Sequence, residues 1–201
     1  DPSRGHRPGI GGGEGVTDLI LLAAGAARRF GRQKLLEEFE GKPLYRYAFD
    51  AARSLSGVRV LAVTRAGLLD GAAVDYGFEP VLVPEEQGIG LSVAAGAAAA
   101  RPEAHLCFFV CDQPYVTGQH LRSFLGEFYK SGKSMGRMRT GARFGSPTIF
   151  APQFRPALMA LTGDEGGRRL FAGREGEIYY HDAAPEVLLD FDRPWANRGD
   201  A

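Results

Sequence analysis

The stretch Leu19 to Leu36, LILLAAGAARRFGRQKLL, constrains this chain most. It opens as an unbroken apolar run, Leu19-Ile20-Leu21-Leu22-Ala23-Ala24, too short to cross a membrane and of the right length for a buried strand. At Gly25 the run breaks into a loop that carries Arg28, Arg29, Arg32 and Lys34 and is punctuated by Gly31. A buried parallel strand ending in a small-residue, cationic loop is where open α/β sheets bind phosphorylated ligands. Small residues let backbone N–H groups approach an anion, and the side chains supply countercharge.

Two familiar phosphate loops do not fit. A Walker A loop needs G-x-x-x-x-G-K-[ST], whereas here five residues separate Gly25 from Gly31 and Arg32 follows. The dinucleotide fingerprint G-x-G-x-x-G is absent after the strand, and the cluster Gly11-Gly12-Gly13 lies before it. A dehydrogenase is disfavoured accordingly.

The run Leu22-Ala23-Ala24-Gly25, followed by Arg29-Phe30-Gly31, Lys34 and Gly41-Lys42-Pro43-Leu44, resembles the signature of the MobA-like nucleotidyltransferases. Within them it looks most like the molybdenum cofactor cytidylyltransferases. Ala27 stands where that family usually has Ser, which removes one hydroxyl contact to phosphate. The resemblance runs from about Asp18 to Pro194.

With 201 residues the chain suits one domain burying roughly two-thirds to three-quarters of its unfolded surface. The first sixteen residues, rich in Gly and Pro and without an apolar core, read as a disordered leader or cloning remnant, neither signal peptide nor membrane span. Residues 17–201 form the expected domain. Twenty-four acids balance 24 bases, which argues against a nucleic-acid partner and suits a small phosphorylated ligand at a local basic loop. Cys107 and Cys111 fall in one strand-like run, about 13 Å apart if extended, too far for a disulfide. They read as buried hydrophobes of a reducing compartment, the cytoplasm.

Downstream, Pro43 to Leu55 spaces its apolar residues at helical intervals, with Pro43 as first helical residue. Val58–Val63, Phe78–Val83 and Leu106–Cys111 read as strands, the Ala-rich Val93–Ala100 and amphipathic Thr117–Lys130 as helices. Met135 to Phe150 reads as strand, turn and strand, and Val187 to Asp192 as a last strand. Strands alternating with helices predict a mostly parallel, doubly wound sheet. The resemblance implies a single-domain, Rossmann-like three-layer α/β fold of the nucleotide-diphospho-sugar transferase type.

Four further segments carry candidate site residues. Gly88 and Gly90 precede a helix and either present N–H groups to a ligand or form a plain loop and cap; in the family a G-x-x-x-S segment here, Gly88 to Ser92, contacts the base. Asp112 lies at the tip of a buried strand in Cys111-Asp112-Gln113-Pro114, where a carboxylate can hold Mg²⁺ or cap the helix near Thr117; the tetrad is similar to the family's metal-binding [GC]-D-x-P. Gly145-Ser146-Pro147 is a hairpin turn or the family's acceptor-facing loop. Gly163-Asp164-Glu165-Gly166 matches another family segment, although Thr162 or Asp164 could simply cap a helix.

The resemblance implies transfer of CMP from CTP to a phosphorylated acceptor, the molybdopterin form of molybdenum cofactor, with release of pyrophosphate and a molybdoenzyme as partner. Ala24, where guanylyl-transferring relatives more often have Gly, favours CTP. By the same resemblance Arg29, Lys34 and Asp112 are catalytic. Leu22, Ala23, Ala24, Gly25, Ala26, Lys34, Gly88, Ser92 and Asp112 hold the nucleotide. Gln113, Pro114, Arg143, Ser146 and Asp164 face the acceptor. Asp112 and Asp192 bind Mg²⁺ or Mn²⁺, although Arg193 and the residues after Pro194 depart from the family's D-[IV]-D-T-P. The alternatives are a GTP-using molybdopterin guanylyltransferase, a sugar-phosphate nucleotidyltransferase, and a non-catalytic nucleotide or cofactor carrier serving a molybdoenzyme.

Overall fold

A computed structural model of the chain describes residues 15–25, 33–84 and 88–191. The elements in chain order are strand β1 (Thr17–Leu22), the two-residue strands β2 (Glu38–Phe39) and β3 (Lys42–Pro43), helix α1 (Tyr45–Arg53), β4 (Arg59–Thr64), α2 (Asp70–Asp75), β5 (Glu79–Leu82) and α3 (Gly88–Ala99). They continue with β6 (His105–Val110), α4 (Gly118–Ser131), β7 (Met135–Thr140), β8 (Arg143–Phe150), α5 (Arg155–Met159) and β9 (Ile178–Asp182).

Seven strands form one sheet in the order β5-β4-β1-β6-β8-β7-β9. Only β8 runs against the rest, pairing antiparallel with both β6 and β7, while β7 pairs parallel with β9. The apolar run of β1 explains its place between β4 and β6: Leu19, Ile20 and Leu21 are fully buried, as a strand covered on both faces must be. Side chains alternate between two cores. Leu19, Leu21, Cys107, Phe109 and Ile149 face α1 and α4 with Phe49, Phe124 and Phe128, whereas Ile20, Leu61, Phe108 and Phe150 face α3 and α5 with Val93 and Leu158. The result is three layers, helix on sheet on helix.

Local chemistry sets the elements. Helix α4 starts at a capping box, with the His120 N–H donating to Thr117 Oγ1 and the Thr117 N–H donating to His120 Nδ1, and stops at Gly132 in the left-handed conformation. Asp112 is therefore not its cap. Helix α3 presses so closely on β1 that a Cβ on Gly96 would sit 2.5 Å from Ile20 Cγ2.

Four expectations are corrected. Pro43 does not open α1; it pairs with Glu38 in a small hairpin, and the helix starts at Tyr45. The Ala-rich helix begins earlier, at Gly88. Neither Thr162 nor Asp164 caps a helix, because α5 ends at Met159 and the next helical turn, Gly167–Phe171, has Gly166 at its cap. Val187–Leu188 belong to a 3₁₀ turn, Pro185–Leu188, rather than to a last strand; the turn packs onto β7 and β8 without joining the sheet. The expected leader falls on residues outside the described ones, apart from Gly15 and Val16. Among the described residues both cysteines are unpaired and buried, and no helix is long and apolar enough to cross a membrane.

Candidate active site

The C-terminal tips of β4, β1 and β6 lie side by side, with Leu22 opposite both Val63 and Val110. Ligands of open α/β sheets gather at this edge. The Ala23 N–H is committed to the Val63 carbonyl at 2.8 Å, and Thr64 Oγ1 donates to the Ala23 carbonyl at 3.3 Å. The Ala23 side chain is buried in the core and its amide stays in the sheet. Ala24 and Gly25 then leave the sheet, with Gly25 exposed. Arg29 and Ala26, expected at the same loop, lie outside the described residues, as does Asp192.

On the far side of that loop, Lys34 returns to the tips in a 3₁₀ turn, Lys34–Leu36, anchored by buried Leu35. Lys34 Nζ donates to Asp112 Oδ2 at 2.7 Å and to the Phe191 carbonyl at 3.2 Å. The pair is largely enclosed, with side chains 14% and 21% exposed. Two catalytic candidates 78 positions apart in sequence thus meet at the strand edge. A charge-assisted bond in a part-buried site loses little to screening.

The residues after Asp112 form a scaffold. Gln113 and Pro114 are buried, and Gln113 Oε1 accepts from the Ser146 N–H at 3.2 Å. Ser146 Oγ accepts from the Val110 N–H at 3.0 Å and donates to the Phe108 carbonyl at 3.4 Å. These side chains knit β8 to the tip of β6 and so fix where Asp112 emerges. Arg143 is turned to the C-terminal segment: it donates to the Leu188 carbonyl at 2.9 Å and lies 3.6 Å from Asp190.

Beside the tips, on the α3 face of the sheet, is a cavity of about 280 Å³. It is lined by Leu22, Phe108, Val110, Thr148, Arg137, Phe144 and Ser146 from the strands, by Ile89 and Val93 of α3, and by Asp164 and Arg168, with the Gly163–Asp164 stretch packed against the start of α3. Among the acceptor candidates it takes in Ser146 and Asp164 but not Gln113, Pro114 or Arg143. Ser92 is buried within α3. Glycine at positions 88 and 90 is required by the wall itself: Gly88 has φ +73°, and a Cβ on Gly90 would lie 2.5 Å from the Thr162 carbonyl oxygen. The Gly90 N–H donates to the Gly163 carbonyl at 2.8 Å, so it is not offered to a ligand.

Sequence reasoning missed Arg137, Phe144 and Arg168. Arg137 had a signal: strand alternation puts it on the face of Met135, which packs with the α3-side core. The guanidinium carbon lies 3.7 Å from the centre of the Phe144 ring and 4.6 Å from that of Phe171. Its buried Nε has no hydrogen-bond partner, and burial pushes the guanidinium pKa down from its ordinary value, with Tyr180 opposing.

Among the described residues no three His, Cys, Asp or Glu side chains cluster as a metal cage. One strand-tip carboxylate, Asp112, nevertheless fits a Mg²⁺-type ion, which usually takes one or two carboxylates and completes its shell with water and substrate phosphates.

Several known proteins are similar to this chain. Purine catabolism protein PucB of Bacillus subtilis is 28% identical over 166 residues, covering 75% of this chain and 78% of that protein. Nicotine blue oxidoreductase of Paenarthrobacter nicotinovorans is 28% identical over 174 residues, covering 78% and 84%. A probable molybdenum cofactor guanylyltransferase of Bacillus licheniformis is 33% identical over 100 residues, covering 48% and 49%. The crystal structure of Rv0371c from Mycobacterium tuberculosis H37Rv superposes with a TM-score of 0.74 at 23% identity, over 90% of this chain and 94% of that one. A manganese complex of Rv0371c superposes at 0.66 and 21% identity, over 89% and 94%. The MobA-like NTP transferase domain matches residues 19–179, from the first strand through the strand-tip aspartate to β9. The matched range takes in the cationic loop and the Asp112 tip, and the chain belongs to the MobA-like NTP transferases, a family of nucleotidyltransferases.

Proposed function

We propose that the protein transfers CMP from CTP to the phosphate of a small acceptor of the molybdenum cofactor type, releasing pyrophosphate. The observation that carries this reading is the enclosed Lys34–Asp112 pair at the β1 and β6 tips. In-line attack of an acceptor phosphate oxygen on the α-phosphorus forms one P–O bond as the bond to pyrophosphate breaks. Such a reaction needs positioning and charge neutralisation more than covalent help.

Lys34 supplies a cation held in place by Asp112 and the Phe191 carbonyl, poised for the charge that builds on the α-phosphate and leaving group. Backbone N–H groups from Ala24 onward, with Arg29, are assigned to the triphosphate. Asp112 is the residue that would hold Mg²⁺ or Mn²⁺, with Asp192 as second ligand; when bound, such an ion neutralises phosphate oxygens as a Lewis acid. A structural relative was solved with manganese. Ser146 and Asp164 line the neighbouring cavity, which is assigned to the acceptor. The two buried, unpaired thiols suit a cytoplasmic protein.

CTP rests on Ala24. The relative named as a guanylyltransferase supports a second reading, with GTP as donor. The test is pyrophosphate release with each of CTP, GTP, ATP and UTP, under Mg²⁺ or Mn²⁺, with and without molybdenum cofactor. Release with CTP only when cofactor is present is the expected result. Release with GTP alone would replace the donor, and silence in all lanes beside nucleotide-induced thermal stabilisation would replace catalysis with nucleotide carriage.

A further inference from the structure

Residues 185–191 run from β8 to the candidate active site, and their two ends are held differently. At the near end the 3₁₀ turn Pro185–Leu188 packs onto β7 and β8, with Val187 and Leu188 buried. Arg143 donates to the Leu188 carbonyl at 2.9 Å, and a Cβ on Gly145 would sit 3.0 Å from Leu188 Cδ2. Beyond this anchor the hold weakens. Leu189 and Asp190 are exposed, and the Asp190 carboxylate stands 3.6 Å from Arg143 with both side chains about half exposed, a kind of pair that contributes little. At the far end the Phe191 ring centre lies 4.5 Å from that of Phe39 and 6.2 Å from that of Tyr115. Its carbonyl accepts from Lys34 Nζ at 3.2 Å.

Lys34 therefore ties the far end of this segment to Asp112. Its contact with the carboxylate is 2.7 Å long, and its contact with the neutral Phe191 carbonyl is the longer of these two. An ammonium gains more from a charged oxygen than from a neutral one. A phosphate arriving at Lys34 thus displaces the carbonyl most readily, while Arg143 keeps its grip on Leu188.

We propose that residues 189–191 are a strap, latched beside the nucleotide site by Lys34 and released when a triphosphate takes that ammonium. The proposal deepens the nucleotidyltransferase reading, on which it rests for the identity of the anion. Phe191 gives no group to the ligand; its ring seats the strap, and its carbonyl occupies Lys34. Coupling of this kind is reciprocal, so the latched strap must also lower the affinity of the empty site for triphosphate. A segment that simply helped to bind phosphate would have the opposite effect, because loosening it would weaken binding.

The probe is inorganic tripolyphosphate, which has the charged chain of the nucleotide without its base, added without metal and against sodium chloride of equal ionic strength. Chymotrypsin cleaves after aromatic residues and must draw Phe191 away from Phe39 and Tyr115 to do so; with fast reclosing, cleavage follows the open population. Tripolyphosphate is expected to speed cleavage after Phe191, identified by fragment mass, by about fivefold or more. Lys34→Met should be cleaved there at the released rate without ligand and respond no further. In a calorimetric titration of the uncleaved protein, Phe191→Ala should bind tripolyphosphate about threefold more tightly than the parent, or more so. Should the alanine variant melt early, Phe191→Leu takes its place. An unchanged or slower cleavage after Phe191, a ligand-free parent cleaved as fast as Lys34→Met, equal or weaker binding by Phe191→Ala, or no tripolyphosphate binding would each overturn the strap. Pyrophosphate release with CTP beside an unmoved strap would keep the transferase and discard the latch. A released strap without turnover would keep the latch and leave a nucleotide carrier.

Discussion

Two ion pairs sit at opposite ends of the same strands, and their surroundings differ. At the N-terminal end of β1, Asp18 is fully buried; it accepts from the Arg101 N–H at 2.7 Å and from Arg101 Nε at 2.8 Å, with Arg59 3.5 Å away. Both arginines have further carbonyl or carboxylate partners: Arg101 donates to the Thr17 carbonyl, and Arg59 to Ala99 and Glu79. At the C-terminal end, Lys34 Nζ and Asp112 Oδ2 meet at 2.7 Å although the two residues are 78 positions apart in sequence. The first arrangement saturates a buried carboxylate with forked donors that cannot leave. The second pairs a point-charge ammonium with a carboxylate at an edge where a substrate phosphate can compete with the carboxylate for the ammonium. One end of the sheet is locked, the other is kept exchangeable.

The largest way to break this contrast is at the exchangeable end. Asp112→Asn and Lys34→Met should each lower kcat by about 10²–10³, measured as pyrophosphate release, with a thermal midpoint close to that of the parent. If either variant keeps near-normal metal-dependent turnover, the pair is structural after all. The locked end should behave in the opposite way. Asp18→Asn leaves two guanidinium groups facing a neutral amide and should cost about 3 kcal/mol, which for a domain of this size is a fall of about 6–12 °C in Tm. Its specific activity at low temperature should survive.

A smaller effect sharpens the contrast inside the functional half. Gly90→Ala drives a methyl into the Thr162 carbonyl and must displace the 162–165 segment, costing about 1–3 kcal/mol. Because that segment includes Asp164 at the cavity, KM for the acceptor should rise more than KM for CTP. The smallest effect lies back at the locked end. Burial lowers the pKa of His105, opposed by its backbone contact to Val16. Its neutral form is therefore favoured in the folded protein, so stability is full above the ordinary histidine pKa and declines as pH falls through it toward the lowered value. His105→Gln should flatten that acid-side decline in a urea titration while leaving the pH profile of turnover unchanged.

Much of this was readable from residue order because burial on both faces leaves a plain signature. β1, β4 and β6 are apolar runs, and α4 carries its cap and its glycine stop. What resisted were short or broken elements. Ile178–Asp182 of β9, sequence IYYHD, mixes apolar and polar residues and earns its place only by pairing beside β7. Val187-Leu188 look like a strand because they are buried, yet Pro185 opens a 3₁₀ turn that packs them onto β7 and β8. In the site, Lys34 and Asp112 were visible through the motif around each. Arg137 was not, since a cation on a strand reads as solvated until Phe144 and Phe171 are seen against it, and Phe171 is 34 positions away.

The sealed cysteines have a practical consequence. Burial raises both thiols far above their ordinary pKa, and neither side chain reaches solvent, so maleimides will pass over the folded protein. A single cysteine placed at Ile89 or Phe144, both exposed at the cavity mouth, would then take a dye or spin label alone. The natural sequence thus provides a silent background on which the opening and filling of that mouth can be watched one position at a time.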